Sequence, residues 1–269
     1  MPAPIFHENV TIITGASRGI GRELALQLAD QGAWLALGAR DLCKLEEVAQ
    51  LVEKRGGRAI TVKTDVGVEA DCKNLVAKTV AEYGRIDTLV NNAGISTWAI
   101  FDQSKDLSMY EKVMRVNYLG SVYCTHYALP YLKETKGRLV AISSLAGKSG
   151  VPTRSGYAAS KHAQVGFFDT LRIELKESGV TVTISYPDFV ATDIRKLALG
   201  TDGKPIMESP VQEDKIMSVE TSVNYLVRAM EKRKRQDVQT LRGHLGQWIK
   251  LIAPALIDKI ALNAITKGK

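Results

Sequence analysis

Val10-Thr11-Ile12-Ile13-Thr14-Gly15-Ala16-Ser17-Arg18-Gly19-Ile20-Gly21 decides how the rest of the chain is organised. Its first five residues read as a buried strand, and a glycine-rich turn carries the chain into a helix expected over Ile20 to Gln31. Such a junction aims free backbone N–H groups and a helix amino terminus at one point, where a bound pyrophosphate would lie. The glycines allow that group to come close to the backbone. The spacing Gly-x3-Gly-x-Gly differs from the common G-x-G-x-x-G fingerprint, and a turn that binds nothing has the same look when taken alone.

Outward from this junction the chain alternates apolar strands with amphipathic helices. Strands are expected at Val10 to Thr14, Trp34 to Ala39, Ala59 to Thr64, Asp87 to Asn91, Arg138 to Ser143 and Val180 to Tyr186. Further helices are expected at Leu42 to Arg55, Glu69 to Tyr83, Leu107 to Lys133 and Ser155 to Glu177. The pattern predicts an α/β fold, a doubly wound parallel sheet forming one domain over residues 1–269, with ligands at the carboxyl edge of the strands. From Ala191 to Val219 the pattern weakens around Gly200, Gly203, Pro205 and Pro210, which suggests an insertion that covers a substrate. A helix over Val219 to Arg233, a short strand near Asp237 to Leu241 and an amphipathic helical extension over about 241–266 complete the chain.

With 269 residues, 45% hydrophobic and 24% charged, the chain is long enough for one large buried core. Residues 1–227 balance 26 basic against 26 acidic side chains, so the net charge of +7 arises from residues 228–269, with 10 against 3. Cys43, Cys72 and Cys124 are odd in number and widely spaced, which fits reduced thiols, and His7, His126, His162 and His244 form no metal-ligand spacing with them. No metal is expected. Met1 to Asn9 lacks the features of a secretory signal, and the apolar run from Trp248 to Ile257 is interrupted by Lys250 and Pro254. The expected location is cytoplasmic, with peripheral membrane association open.

Two arginines bear on cofactor choice. The second strand ends in Gly38-Ala39-Arg40, where an acidic residue would receive the ribose hydroxyls of NAD. Arg40 together with Arg18 suits a 2′-phosphate instead, favouring NADP(H) over NAD(H). Tyr157 and Lys161, four residues apart in an expected helix, project from one face and can reach a common ligand. Tyrosine's reference pKa of about 10 is too high for efficient proton transfer near neutrality, and a nearby ammonium favours the phenolate.

Together these segments resemble the short-chain dehydrogenase/reductase family, whose signature TGxxxGxG matches Thr14 to Gly21 and whose Tyr-x3-Lys matches Tyr157 and Lys161. The resemblance runs from Val10 to about Thr192 and implies a Rossmann-type fold. Ser144 lies 13 positions before Tyr157, as the family's catalytic serine does; strand alternation argues against its neighbour Ser143. Asn117 matches the family's asparagine in the helix after the fourth strand. The resemblance implies that Tyr157 exchanges a proton with the substrate oxygen, Ser144 polarises the carbonyl, Lys161 holds the nicotinamide ribose, and Asn117 positions a water beyond Lys161. Ser144 and Tyr157 would contact substrate. Cofactor binding would fall to Gly15, Ser17, Arg18, Gly19, Ile20 and Gly21, to Arg40, Asp65 and Val66, to Asn92, Ala93 and Gly94, to Tyr157 and Lys161, and to Pro187, Val190 and Thr192. One position departs: Asp188 stands where the family has glycine, leaving the placement of Val190 and Thr192 open.

The implied reaction interconverts a ketone or aldehyde and an alcohol, on an apolar substrate such as a steroid, retinoid or fatty acyl compound. An idle NADP-binding sensor or scaffold is the competing reading; a sugar-nucleotide epimerase would need a larger substrate region. Relatives imply a homodimer or homotetramer sharing the helices expected at Leu107 to Lys133 and Ser155 to Glu177. In the tail, Leu241, Leu245, Trp248, Ile252, Leu256 and Ile260 recur at helical spacing, with Arg242, Lys250 and Lys259 interleaved. This face is expected to dock on its own domain or another subunit, with acidic lipid as the alternative. Lys232 to Arg235 belongs to no nucleic-acid module, so no nucleic-acid partner is expected.

Overall fold

A computed structural model describes residues 3–209 and 216–266. Its centre is a parallel seven-stranded sheet in the order β3-β2-β1-β4-β5-β6-β7. The strands are β1 Val10–Thr14, β2 Trp34–Ala39, β3 Arg58–Lys63, β4 Thr88–Asn91, β5 Arg138–Ile142, β6 Thr181–Tyr186 and β7 Gln236–Val238. The direction of winding reverses between β1 and β4, and the crevice at their carboxyl ends is where this architecture receives a ligand.

Strand alternation sends neighbouring side chains to opposite faces. Ile13 and Val140 pack against helices α1 (Gly19–Ala29), α2 (Leu42–Lys54) and α7 (Val219–Glu231), among Leu24, Val48 and Leu226. Ile12 and Leu139 point the other way, to α3 (Glu69–Tyr83), α5 (Gly120–Glu134) and α6 (Ser155–Glu174), among Leu75, Cys124 and Phe168. Both faces of the sheet are therefore dry, which is why its strands read as apolar runs.

The helix expected over Leu107 to Lys133 is divided. A short helix, α4 (Ser108–Met114), passes through a wide π turn at Arg115–Leu119 into α5. The π turn places Asn117, fully buried, against the loop after β4. The strand expected at Asp87 to Asn91 begins one residue later, since the Asp87 carboxylate accepts from the Val10 N–H at 2.9 Å. The last strand ends at Val238, and Thr240 caps the next helix by accepting from the Gly243 N–H at 3.2 Å.

Residues 191–209 are pinned to the loop after β4, where Leu199 N–H donates to Ser96 O at 2.9 Å and Trp98 N–H to Leu199 O at 2.8 Å. The rest of the weakly patterned stretch includes residues 210–215, with Pro210, which lie outside the described residues. The tail forms α8 (Leu241–Ile252) and α9 (Pro254–Thr266), with Pro254 as the first residue of the second helix, where its missing N–H costs nothing. Docking of the whole apolar stripe on its own domain does not occur. Only Gly243 is buried in α8, against Leu145 and Val238, while Trp248 and Ile252 are 67% and 83% exposed. No described helix is long and apolar enough to cross a membrane.

Candidate active site

A cleft of about 560 Å³ lies at the carboxyl edge of the sheet, between the glycine turn and residues 187–205. Gly15, Ser17, Arg18, Gly19 and Ile20 form one wall. Gly15 and Gly19 have φ of +66° and +55°, a region costly for other residues. No side chain caps the amino end of α1, so its first N–H groups are left for a ligand. Gly21 does not line the cleft. A Cβ there would come within 2.5 Å of Asn92 Nδ2, so Gly21 makes room for a neighbouring segment of chain.

That segment is Asn92-Ala93-Gly94, whose residues all line the cleft. Thr14 Oγ1 accepts from the N–H groups of Asn92 and Ala93, both at 3.0 Å, while Asn92 Nδ2 donates to Thr14 O at 2.8 Å and Gly15 O at 3.2 Å. The turn after β4 thereby holds the glycine turn in shape. Uncapped helix, positive-φ glycines and braced backbone together fit a pyrophosphate-bearing dinucleotide.

At one end of the cleft Arg18 and Arg40 are exposed. The acid beside them, Asp41, is engaged as the cap of α2, accepting from the Lys44 N–H at 3.2 Å. Asp65 and Val66 line the same end, and Asp65 Oδ1 accepts from the Gly67 N–H at 2.9 Å.

Ser144, Tyr157 and Lys161 meet at the other end. Helix α6 supplies the tyrosine and lysine from one face, and Lys161 Nζ lies 5.8 Å from the Tyr157 ring centroid. Lys161 is 3% exposed and donates to Ile142 O at 2.7 Å and to Gln164 Oε1 at 3.2 Å. Burial, with the Arg154 guanidinium adding to it, pulls its pKa down to about 7. Its charge near neutral pH is therefore conditional. Ser144 accepts from the Ala146 N–H at 3.2 Å, which leaves its own O–H as a donor. Ser143 also borders the cleft, and its hydroxyl donates to Lys161 O at 3.4 Å.

Asn117 is not part of the cleft wall. Its Oδ1 accepts from Ile95 N–H at 2.8 Å, and Nδ2 donates to Ile95 O and Ser160 Oγ, both at 2.9 Å. Both amide protons are thus spent on the scaffold. Its backbone carbonyl accepts from Gln164 Nε2 at 3.3 Å, and Gln164 Oε1 in turn accepts from Lys161, so a glutamine links Lys161 to Asn117. Gln164 was missed in the sequence because only the folded helix shows that it faces inward.

Pro187, Val190 and Thr192 line the cleft beside Asp188. The Asp188 carboxylate accepts from Phe189 N–H at 3.0 Å, Thr240 Oγ1 at 3.0 Å and the Arg242 Nε–H. This departure from the family's glycine thus ties the loop to α8. Two further residues escaped the sequence reading, Arg154 and Arg195, both buried in the cleft wall. Arg195 donates to Val190 O at 2.8 Å and to Ser209 Oγ at 3.3 Å. Nothing in their local sequence distinguishes them from surface arginines.

The short chain dehydrogenase family profile matches residues 9–201. A Dictyostelium discoideum protein described as dehydrogenase/reductase SDR family protein 7-like is 35% identical over 99% of this chain and 86% of its own. The 11-beta-hydroxysteroid dehydrogenase-like 4A protein of Arabidopsis thaliana is 46% identical over 67% of this chain, a match that spans only 60% of that relative's length. Among solved structures, an alcohol dehydrogenase from Thermococcus sibiricus complexed with 5-hydroxy-NADP superposes with a TM-score of 0.74 at 27% identity, covering 86% of this chain and 94% of that one. A short-chain dehydrogenase/reductase from Burkholderia phymatum in complex with NAD gives 0.83 at 23% identity, over 95% and 96% of the two chains, a likeness of fold.

Proposed function

Because the chain belongs to the short-chain dehydrogenase/reductase family, nicotinamide-dependent oxidoreductases, we propose that it interconverts a ketone or aldehyde and an alcohol with NADP(H), using Tyr157 for proton transfer. The observation that carries this reading is the convergence of Ser144, Tyr157 and Lys161 at one end of a cleft whose other end is the glycine turn. Bound nicotinamide supplies or accepts the hydride. Ser144 donates its hydroxyl hydrogen to the substrate oxygen. Tyr157 gives that oxygen a proton in reduction and removes one in oxidation. Lys161 spends two donors on Ile142 and Gln164; when protonated it has a third N–H for a ribose hydroxyl and favours the Tyr157 phenolate. Asn117 acts as a positioning residue through Ile95 and Ser160.

NADP(H) is favoured over NAD(H) because two exposed cations, Arg18 and Arg40, line the cleft, and Asp41, next in the chain to Arg40, caps its own helix. Ile95, Ile194, Leu197, Leu199 and Pro205 line the substrate end, which supports an apolar substrate beside residues 191–209 as part of a single domain. The exposed apolar stripe of α8 and α9, with Arg242, Lys250 and Lys259 beside it, suits an anionic lipid surface. Subunit pairing through the α5 and α6 face would bury further the half-exposed Tyr123, Tyr127, Tyr131 and Phe167.

The test is fluorescence titration with NADPH and NADH, followed by turnover of a carbonyl and alcohol panel. NADPH should bind roughly tenfold more tightly, and Arg40→Ala should erase the difference. Tyr157→Phe should keep cofactor binding and lose turnover by roughly 10²-fold or more. Unchanged turnover in that variant would remove Tyr157 from the reaction.

A further inference from the structure

Arg154 stands just before α6 and is 7% exposed, yet it makes no ion pair with any described residue. Its Nη2 donates to Ser96 Oγ at 2.8 Å, and its Nε is buried without an acceptor. The guanidinium carbon lies 4.3 Å from the Tyr157 ring centroid and 5.7 Å from that of Trp98. Among the charge effects on it Tyr157 comes first, and an ionised phenol there favours the Arg154 charge. Arg195 opposes its charge, as Arg154 in turn opposes that of Lys161. Burying a guanidinium with an unmet donor and no carboxylate paired to it among the described residues is unfavourable, and folds retain such arrangements chiefly at sites that meet a ligand.

Resting on the oxidoreductase reading above, we infer that Arg154 is a specificity-determining residue that binds a carboxylate carried by the substrate close to its reacting carbonyl. The side chain lines the substrate end of the cleft, with its guanidinium carbon over the ring of the proton-transfer residue. An anion at Arg154 therefore sits within a few bonds of the carbon that reacts at Tyr157. Its planar fork of donors matches the two oxygens of a carboxylate, and one anion would offset the repulsion between Arg154 and Lys161. The substrate class becomes oxo acids and hydroxy acids, with their apolar remainder against Ile194, Leu197 and Leu199.

The inference is tested first by binding, without turnover. The full-length protein loaded with NADPH is titrated with octanoate and with octanamide, which has the same shape and no charge, by calorimetry. Octanoate should bind roughly tenfold or more tightly, as a charged hydrogen bond predicts. The ratio should fall to about one in Arg154→Gln and be partly kept in Arg154→Lys. Equal affinities in the wild-type protein overturn the inference whether or not either variant folds, and so does a preference that survives in Arg154→Gln. A second arm compares turnover of 3-oxo-octanoate with that of its methyl ester. Arg154-dependent carboxylate binding without turnover of any carbonyl compound would leave the subsite standing and sink the catalytic reading. Ketone reduction with no preference for the acid would do the reverse.

Discussion

The carboxylate of Asp188 holds the guanidinium of Arg242, joining the loop at the cofactor cleft to the first turn of α8, 54 residues further along the chain. Thr240 Oγ1 donates to the same oxygen at 3.0 Å, and the Arg242 guanidinium carbon lies 5.9 Å from the Phe189 ring centroid. The Gly243 contact and a bond from Lys250 to Lys148 O also tie the tail to the domain.

Asp188→Ala should therefore loosen the tail before it disturbs the sheet. Arg242 is largely exposed, so solvent screens the ion pair, and the expected loss of stability is about 1 kcal/mol. Hydrogen exchange should quicken across residues 241–252 while β1 to β6 keep their protection. Uniform quickening throughout the domain, or none in α8, would show that Asp188 is not the anchor.

The apolar stripe of α8 and α9 is expected to bring the protein to vesicles containing phosphatidylserine, less so in high salt. Trp248→Ser with Ile252→Ser removes two exposed side chains without touching the core, and should weaken vesicle binding by roughly tenfold or more. Equal cosedimentation of the two proteins would reject lipid contact; concentration-dependent self-association lost in the double variant would instead assign the stripe to a second copy.

Asn117→Ala would leave the N–H and C=O of Ile95 without their partners. The predicted cost is about 2–4 kcal/mol of unfolding free energy. Asn117→Asp should also destabilise, since a carboxylate cannot donate to Ile95 O. Denaturant melts of the two variants check this, and a loss below about 0.5 kcal/mol in both would contradict the positioning role.

Lys161 gives a pH dependence of fixed sign. Its folded-state pKa of about 7 lies below the unfolded value of about 10.4. Between those limits the unfolded chain retains a proton that the folded chain has released, so stability rises with pH. The contribution is lost as pH falls through about 7, and its slope is at most about 1.4 kcal/mol per pH unit. Urea unfolding of the cofactor-free protein between pH 6.5 and 10 should show this rise, and Lys161→Met should flatten it. A slope unchanged in the variant would assign the titration to another group.

The layered fold, six of its seven strands to within about a residue at each end and the glycine turn are local patterns, and a linear chain displays them directly. Strand alternation at Ile12 and Ile13, apolar spacing in the helices and φ-permissive glycines each act over a few residues, so the sequence alone determines them. Tyr157 and Lys161 are similarly legible, because a helix fixes the relation of residues four apart. Tertiary structure decided what depends on distant partners. The π turn buries Asn117 against Ile95, Asn92 packs beside Gly21, and Arg154 lies on Tyr157, none of which a local pattern announces. Asp188 looked like a flaw in a loop because Arg242, which gives its carboxylate a purpose, is 54 residues away. Burial and pairing across such separations are properties of the packed chain, and no short window of sequence contains them.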